Sequence, residues 1–217
     1  MPKLTDPFGR HINYLRVSVT DRCNYRCFYC IPSQDFTLET RSEFLSYEEL
    51  TRLIRLFADL GVSRVRLTGG EPLVRRGLVD WVRNLKRLNG LDELSLSSNA
   101  HLLGLQAAAL KAAGLDRVNI SLDTLDSDTF SRITRNGDLS AVLDGINAAL
   151  DAKLDPVKLN MVVMKDINHH EIEPMLDYAL TRGANLRFIE TMPIGDAGLQ
   201  GVRHYYPAAS ILERVRR

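Results

Sequence analysis

Outside one short stretch the chain has no cysteine: Cys23, Cys27 and Cys30 are the only three in 217 residues. So small, odd and tightly spaced a set argues against a disulfide framework, because neighbouring thiols close awkward rings and one stays unpaired. Charge of one sign is lacking as well. Against 27 Asp and Glu stand 28 Lys and Arg, a net +1, which gives no general electrostatic case for nucleic acid or anionic membrane. No apolar run is long enough to span a bilayer, and Met1–Asp6 shows nothing resembling a signal peptide, so a cytoplasmic protein is expected. Low-complexity tails and linkers are missing too. A single domain over 1–217 with a real core is the expectation.

What is present is a recurring unit. Apolar, β-branched runs lie at Tyr14–Thr20, Arg64–Thr68, Glu93–Ser97, Arg117–Ser121, Val157–Val163 and Asn185–Glu190, and amphipathic stretches separate them. The first such stretch starts at Ser46, which can cap a helix with Glu49, and runs through Leu50, Leu53, Ile54 and Phe57. The others span Leu78–Leu88, Leu103–Ala113, Asp126–Thr134, Leu139–Ala152, Asn168–Arg182 and Ala208–Arg217, and Gly61, Gly90, Gly114 and Gly183 sit where helix C-caps are expected. Alternating strands and helices imply a parallel sheet with right-handed crossovers. Six units are too few for a closed eight-stranded barrel, so a doubly wound open sheet and a partial barrel both remain. In either, ligands belong at the C-terminal ends of the strands. Those ends are where the unusual residues fall: the cysteines, then Gly69-Gly70-Glu71-Pro72, Ser97-Ser98-Asn99, Ser121 with Asp123, and Glu190 to Pro193.

Three clustered thiols ask for a metal and leave one coordination position open for chemistry. The alternative is a structural zinc knuckle completed by His11. His101, His169, His170 and His204 show no ligand-like spacing.

The C-x3-C-x2-C run with aromatic Tyr29 before its last cysteine, followed by Gly69-Gly70-Glu71-Pro72, resembles the radical S-adenosylmethionine (SAM) enzymes. The blocks NYLRVSVTDRCNYRCFYC, VRLTGGEPLVRRGL, LDRVNISLDTLDSDTFSRITR, DPVKLNMVVMK and RFIETMPIG look closely like the GTP 3′,8-cyclases of molybdenum cofactor biosynthesis. The resemblance implies a partial (β/α)6 TIM-type barrel and one [4Fe-4S] cluster on Cys23, Cys27 and Cys30, with SAM at the open iron. It implies a 5′-deoxyadenosyl radical that takes hydrogen from C3′ of GTP, leading to (8S)-3′,8-cyclo-7,8-dihydroguanosine 5′-triphosphate. Carried over position by position, SAM contacts fall on Tyr29, Gly70, Ser121 and Met192, and GTP contacts on Arg16, Arg66, Ser97 and Lys158. Three cations suit a triphosphate, and two adjacent glycines let the backbone approach a ligand. An electron donor is implied as a further partner. Departures from the family pattern include Ala100 and Asp166, where glycine is usual.

Asp123 and Glu190 lie near the same face, as ribose contacts, arginine bridges or a structural ion pair. The family carries a second cluster on later cysteines, and nothing after Cys30 could hold one. The expectation is therefore a truncated core with one cluster, weak cyclisation and an exposed last strand open to self-association, for example as a homodimer. A different radical SAM substrate, or a non-catalytic iron-sulfur module, are the competing readings.

Overall fold

In the computed structural model residues 4–31, 44–135, 137–192 and 202–216 are described. Pro193, the end of the RFIETMPIG block and Arg217 lie outside them. Strands β1 (Tyr14–Ser18), β2 (Arg64–Thr68), β3 (Glu93–Ser98), β4 (Arg117–Ser121), β5 (Lys158–Val163) and β6 (Asn185–Glu190) form one sheet. All pairs are parallel, and the strand order is the chain order, β1-β2-β3-β4-β5-β6. The described helices are α1 (Tyr47–Asp59), α2 (Leu78–Leu85), α3 (Leu103–Ala112), α4 (Ser127–Thr134), α5 (Leu139–Asp151), α6 (Ile172–Thr181) and α7 (Ala208–Val215).

The strand order decides between the two architectures. A doubly wound sheet reverses its order at a switch point, which places helices on both faces. A sheet that never reverses, with right-handed crossovers throughout, keeps every helix on one face and curls. The fold is the partial barrel, and it is not closed, since β1 and β6 each have one neighbour among the described strands.

Side-chain alternation gives the two faces opposite characters. On the helix side Val65, Leu67, Leu94, Leu96, Val118, Ile120, Leu159 and Met161 are fully buried and form the main core. The other face carries Arg16, Arg66, Ser97, Asn119, Lys158 and Arg187 in register. Closed barrels of this type fill their interior with branched apolar side chains. Here the interior is polar.

Local chemistry explains several element ends. Ser46 Oγ accepts from Glu49 N (3.2 Å) while Glu49 Oε2 accepts from Ser46 N (2.7 Å), the reciprocal cap expected for α1. Leu50 and Ile54 are buried, but Leu53 faces solvent. Helix α2 ends at Leu85, three residues early, in a tighter turn where Arg87 N bonds Asn84 O and Leu88 N bonds Leu85 O. Gly90 therefore sits in the turn before β3 rather than at a helix cap. Asn168 is no helix residue either. Its Nδ2 donates to Asp123 O (2.7 Å) and Val162 O (2.8 Å), and its Oδ1 accepts from Met164 N (2.7 Å), so it struts the ends of β4 and β5, and α6 starts at Ile172.

Candidate functional site

The three cysteines sit in the loop that leaves the C-terminal end of β1. All are free thiols, Cys23 and Cys27 half-buried and Cys30 exposed. The loop is tied down from both sides. Arg26 N and Phe28 N donate to Thr134 O (3.0 Å) and Ile133 O (3.1 Å) at the end of α4. Tyr25 is buried, hydrogen-bonded to His101 Nδ1 (3.1 Å) and edge-on to Phe130. Cys30 N and Ile31 N both donate to Cys27 O at 2.9 Å, closing a turn around the last two thiols.

The glycine pair borders this loop. Gly70 N donates to Thr20 O and Glu71 N to Arg22 O, each at 2.7 Å. A Cβ on Gly70 would stand 2.3 Å from Arg22 O, and one on Gly69 the same distance from Thr20 O. The close approach that these glycines permit is thus to the segment leading into Cys23. Behind them Glu71 is buried. Its Oε1 accepts from Leu73 N (3.0 Å) and Ser98 Oγ (2.9 Å), and its Oε2 from Asn99 N (2.7 Å). Burial pushes this carboxyl up, and the three donors oppose that.

Tyr29 does more than present its backbone. Its hydroxyl donates to Asp123 Oδ2 at 2.6 Å, and Asp123 Oδ1 accepts from Val162 N at 2.8 Å. Burial lifts the Asp123 carboxyl to about 6, and burial followed by the Asp123 charge raises the Tyr29 phenol. Asp123 thus ties the cysteine loop to β5, and among the described residues it forms no ion pair. Glu190 accepts from Tyr205 Oη (3.2 Å) and from Ala208 N at the start of α7.

On the polar face Arg16 stands opposite Arg66. Asn119 stands opposite both Ser97 and Lys158. Burial, then Arg117, Arg187 and Arg66, pulls the Lys158 ammonium down, and burial with Arg117, Arg16 and Arg187 does the same to Arg66. Arg16, Arg66 and Lys158 therefore share one field, and the structure adds Arg117 and Arg187 to it. Of these five, Arg117 alone forms an ion pair among the described residues, with Glu93 at 2.6 Å. Arg66 Nε, Asn119 Nδ2 and Asn160 Oδ1 are buried without a partner among the described residues. Such orphaned atoms are costly unless a ligand or water meets them. Ser121 is exposed at the end of β4, and Met192 lies two residues past β6 with 61% of its surface accessible.

The thiols fit a cluster. Burial raises all three, Cys27 to about 12, so ionised sulfur there needs a cationic centre beside it. Among the described residues no three His, Cys, Asp or Glu side chains converge on a single point. His11 instead bonds Thr5 Oγ1 at 3.1 Å. In a [4Fe-4S] site each thiolate can take its own iron.

The two departures from glycine both carry positive φ. Ala100 and Asp166 adopt φ of 62° and 63°, the left-handed region that glycine enters freely. Sequence reasoning missed the anchoring by Glu71, Asn99 and Asp123. An acid followed by Pro72-Leu73 was the available signal, since a carboxylate among apolar neighbours has to find donors.

A profile of the radical SAM superfamily matches residues 17–179. A protein of Hydrogenovibrio crunogenus named GTP 3′,8-cyclase is 54% identical over 98% of this chain and 65% of its own length. One of the same name from Petrotoga mobilis is 47% identical over 93% of this chain and 62% of its own. The chain thus spans less than two thirds of these relatives. The solved structure of Streptococcus suis SuiB bound to precursor peptide SuiA superposes with a TM-score of 0.75 at 16% identity, covering 94% of this chain and 45% of that one. That likeness concerns the fold. Among the described residues no helix is long and apolar enough to cross a membrane. With a superfamily profile over most of its length, a partial barrel and three free thiols at the first strand end, the chain belongs to the radical SAM superfamily.

Proposed function

We propose that this chain is the radical SAM core of a cytoplasmic GTP 3′,8-cyclase, a lyase of molybdenum cofactor biosynthesis. The observation that carries the substrate is the shared field of Arg16, Arg66 and Lys158 on a polar inner face, next to the thiol loop. A triphosphate of about four negative charges would relieve the mutual repulsion of these cations and meet the unpaired Arg66 Nε.

Cys23, Cys27 and Cys30 would hold the cluster, which when bound supplies one electron to SAM and so releases the 5′-deoxyadenosyl radical. Tyr29, Gly70, Ser121 and Met192 would line SAM: Ser121 offers a hydroxyl at a strand end, Gly70 a carbonyl, Tyr29 its backbone and Met192 soft packing. Ser97 would donate to GTP beside Asn119. Arg16 lies two residues below the end of β1, roughly 7 Å along the strand, so phosphates bound there leave the ribose nearer the strand ends, toward the thiols. The inner face would hold the substrate in position beside the thiol loop. The partners on this reading are GTP, SAM and a low-potential electron donor, with one cluster per chain. The β6 edge would allow a homodimer.

Anaerobic incubation of reconstituted protein with SAM, dithionite and GTP deuterated at C3′ tests this. Deuterium should appear in 5′-deoxyadenosine. Unlabelled 5′-deoxyadenosine at a rate indifferent to GTP would move the chain to another substrate, and none at all would leave a binding module.

A further inference from the structure

We propose that Asn99 sets the reduction potential of the cluster held by Cys23, Cys27 and Cys30, by donating from its side-chain amide to the Cys23 sulfur. This rests on reading the three thiols as cluster ligands. Asn99 Nδ2 lies 3.8 Å from Cys23 Sγ and 2.8 Å from Asn24 Oδ1, so its two N–H groups meet two acceptors. The orientation of the amide is fixed chemically. Its Oδ1 accepts from His101 N at 3.1 Å, and a backbone N–H can only donate, so the nitrogen end must face the sulfur.

The donor is also held rigidly. Asn99 N donates to the buried carboxylate of Glu71, and Ala100 N donates to Ser98 Oγ at 2.9 Å. Ala100 then turns the chain through the left-handed region against α5, where its carbonyl is 2.2 Å from the place a Gly145 Cβ would take. Tyr25 N supplies a second donor to the same sulfur at 3.4 Å. This gives the buried acid of the glycine motif a purpose: it fixes, through Asn99, the polar environment of the first thiolate.

Reduction adds one electron from a low-potential donor, with no bond or proton exchanged, and part of that charge falls on the sulfurs. A donor aimed at sulfur stabilises the reduced form more than the oxidised form and raises the potential. Removing it should make the site harder to reduce.

The test is a dithionite-poised titration of reconstituted protein followed by electron paramagnetic resonance, without SAM or GTP. In Asn99→Ala the reduced-to-oxidised ratio at the native midpoint should fall about tenfold, about 59 mV for one electron. In Asn99→Asp, where an anionic oxygen replaces the N–H, it should fall further. Asn24→Ala, which removes only the other acceptor, should stay at the native midpoint. Native-like midpoints in both Asn99 variants with full iron overturn the proposal alone. Loss of iron from both, with native circular dichroism, also overturns it by making Asn99 an assembly residue. Failure of the native chain to form any cluster overturns the cluster reading together with it.

Discussion

Replacing Gly70 by Ala tests how the glycine motif works. The new Cβ would lie 2.3 Å from Arg22 O and 2.6 Å from Arg22 C and Asp21 O, all backbone atoms. An uncrowded carbon–oxygen contact needs about 3.3 Å or more, so the two segments must separate by about 1 Å. That would stretch the Gly70 N–Thr20 O and Glu71 N–Arg22 O bonds, now 2.7 Å, beyond use. Each is worth about 1 kcal/mol, and overpacking adds about 1–3 kcal/mol. The total, about 3–5 kcal/mol, is a large part of an ordinary stability of about 5–15 kcal/mol. At about 2–4 °C per kcal/mol for a chain of this size, the melting temperature should drop by about 6–20 °C. Circular dichroism melts of the metal-free chain measure it. Gly104→Ala in α3 is the control of opposite sign. Its Cβ would meet nothing closer than 3.8 Å, and a helical glycine replaced by alanine gains about 0.5–1 kcal/mol. A Gly70→Ala protein melting within about 2 °C of the native one would refute the argument.

Inorganic triphosphate should stabilise the metal-free chain, by about 2.7 kcal/mol at a hundred times its dissociation constant. Differential scanning fluorimetry should show that shift shrink in Lys158→Met and Arg66→Met, and equal shifts in all three proteins would remove the anion site from the inner face. Ser46→Ala deletes the acceptor of the reciprocal cap on α1 and should cost about 1 kcal/mol in urea unfolding. Asp126 is held below the ordinary 3.8 chiefly by the hydrogen bonds from Thr129. A carboxyl lowered in the fold contributes stability that is present above its unfolded value and lost as pH falls through the folded one. Asp126→Asn keeps the acceptor for Thr129 N but cannot titrate, so its melting temperature should fall less than the native one between about pH 5 and pH 3. Parallel acid limbs would show that the cap charge contributes nothing.

The strands were readable because each is a short β-branched run closed by a turn, and parallel pairing through a helix leaves few alternatives. The two glycines were readable as a close approach, but not as an approach to the chain itself. That depends on how the segment Thr20–Arg22 crosses the end of β2, which no local pattern encodes. Asp123 illustrates the same limit. Tyr29 and Asp123 are 94 positions apart, and their 2.6 Å bond exists because β4 lies three strands from β1 in a curled sheet. From sequence, an acid at a strand end near several arginines leaves ribose contact, arginine bridge and ion pair all open, and only the folded sheet shows that a tyrosine reaches it. Arg117 and Arg187 joined the inner-face cations for a similar reason: each was an ordinary strand residue until the register aligned the faces.

The monotonic strand order has a consequence for how the molecule is made. Every strand pairs with the one synthesised just before it, so no strand has to be wedged later between two that already hold each other. The sheet can lengthen at one edge while the chain is still emerging, each new helix roofing its own strand's oily side. The opposite side, lined with arginine, serine and asparagine, is content in water at every stage. A half-built molecule would therefore show chaperones and neighbouring chains a wet trough and one bare strand edge, rather than an open greasy core.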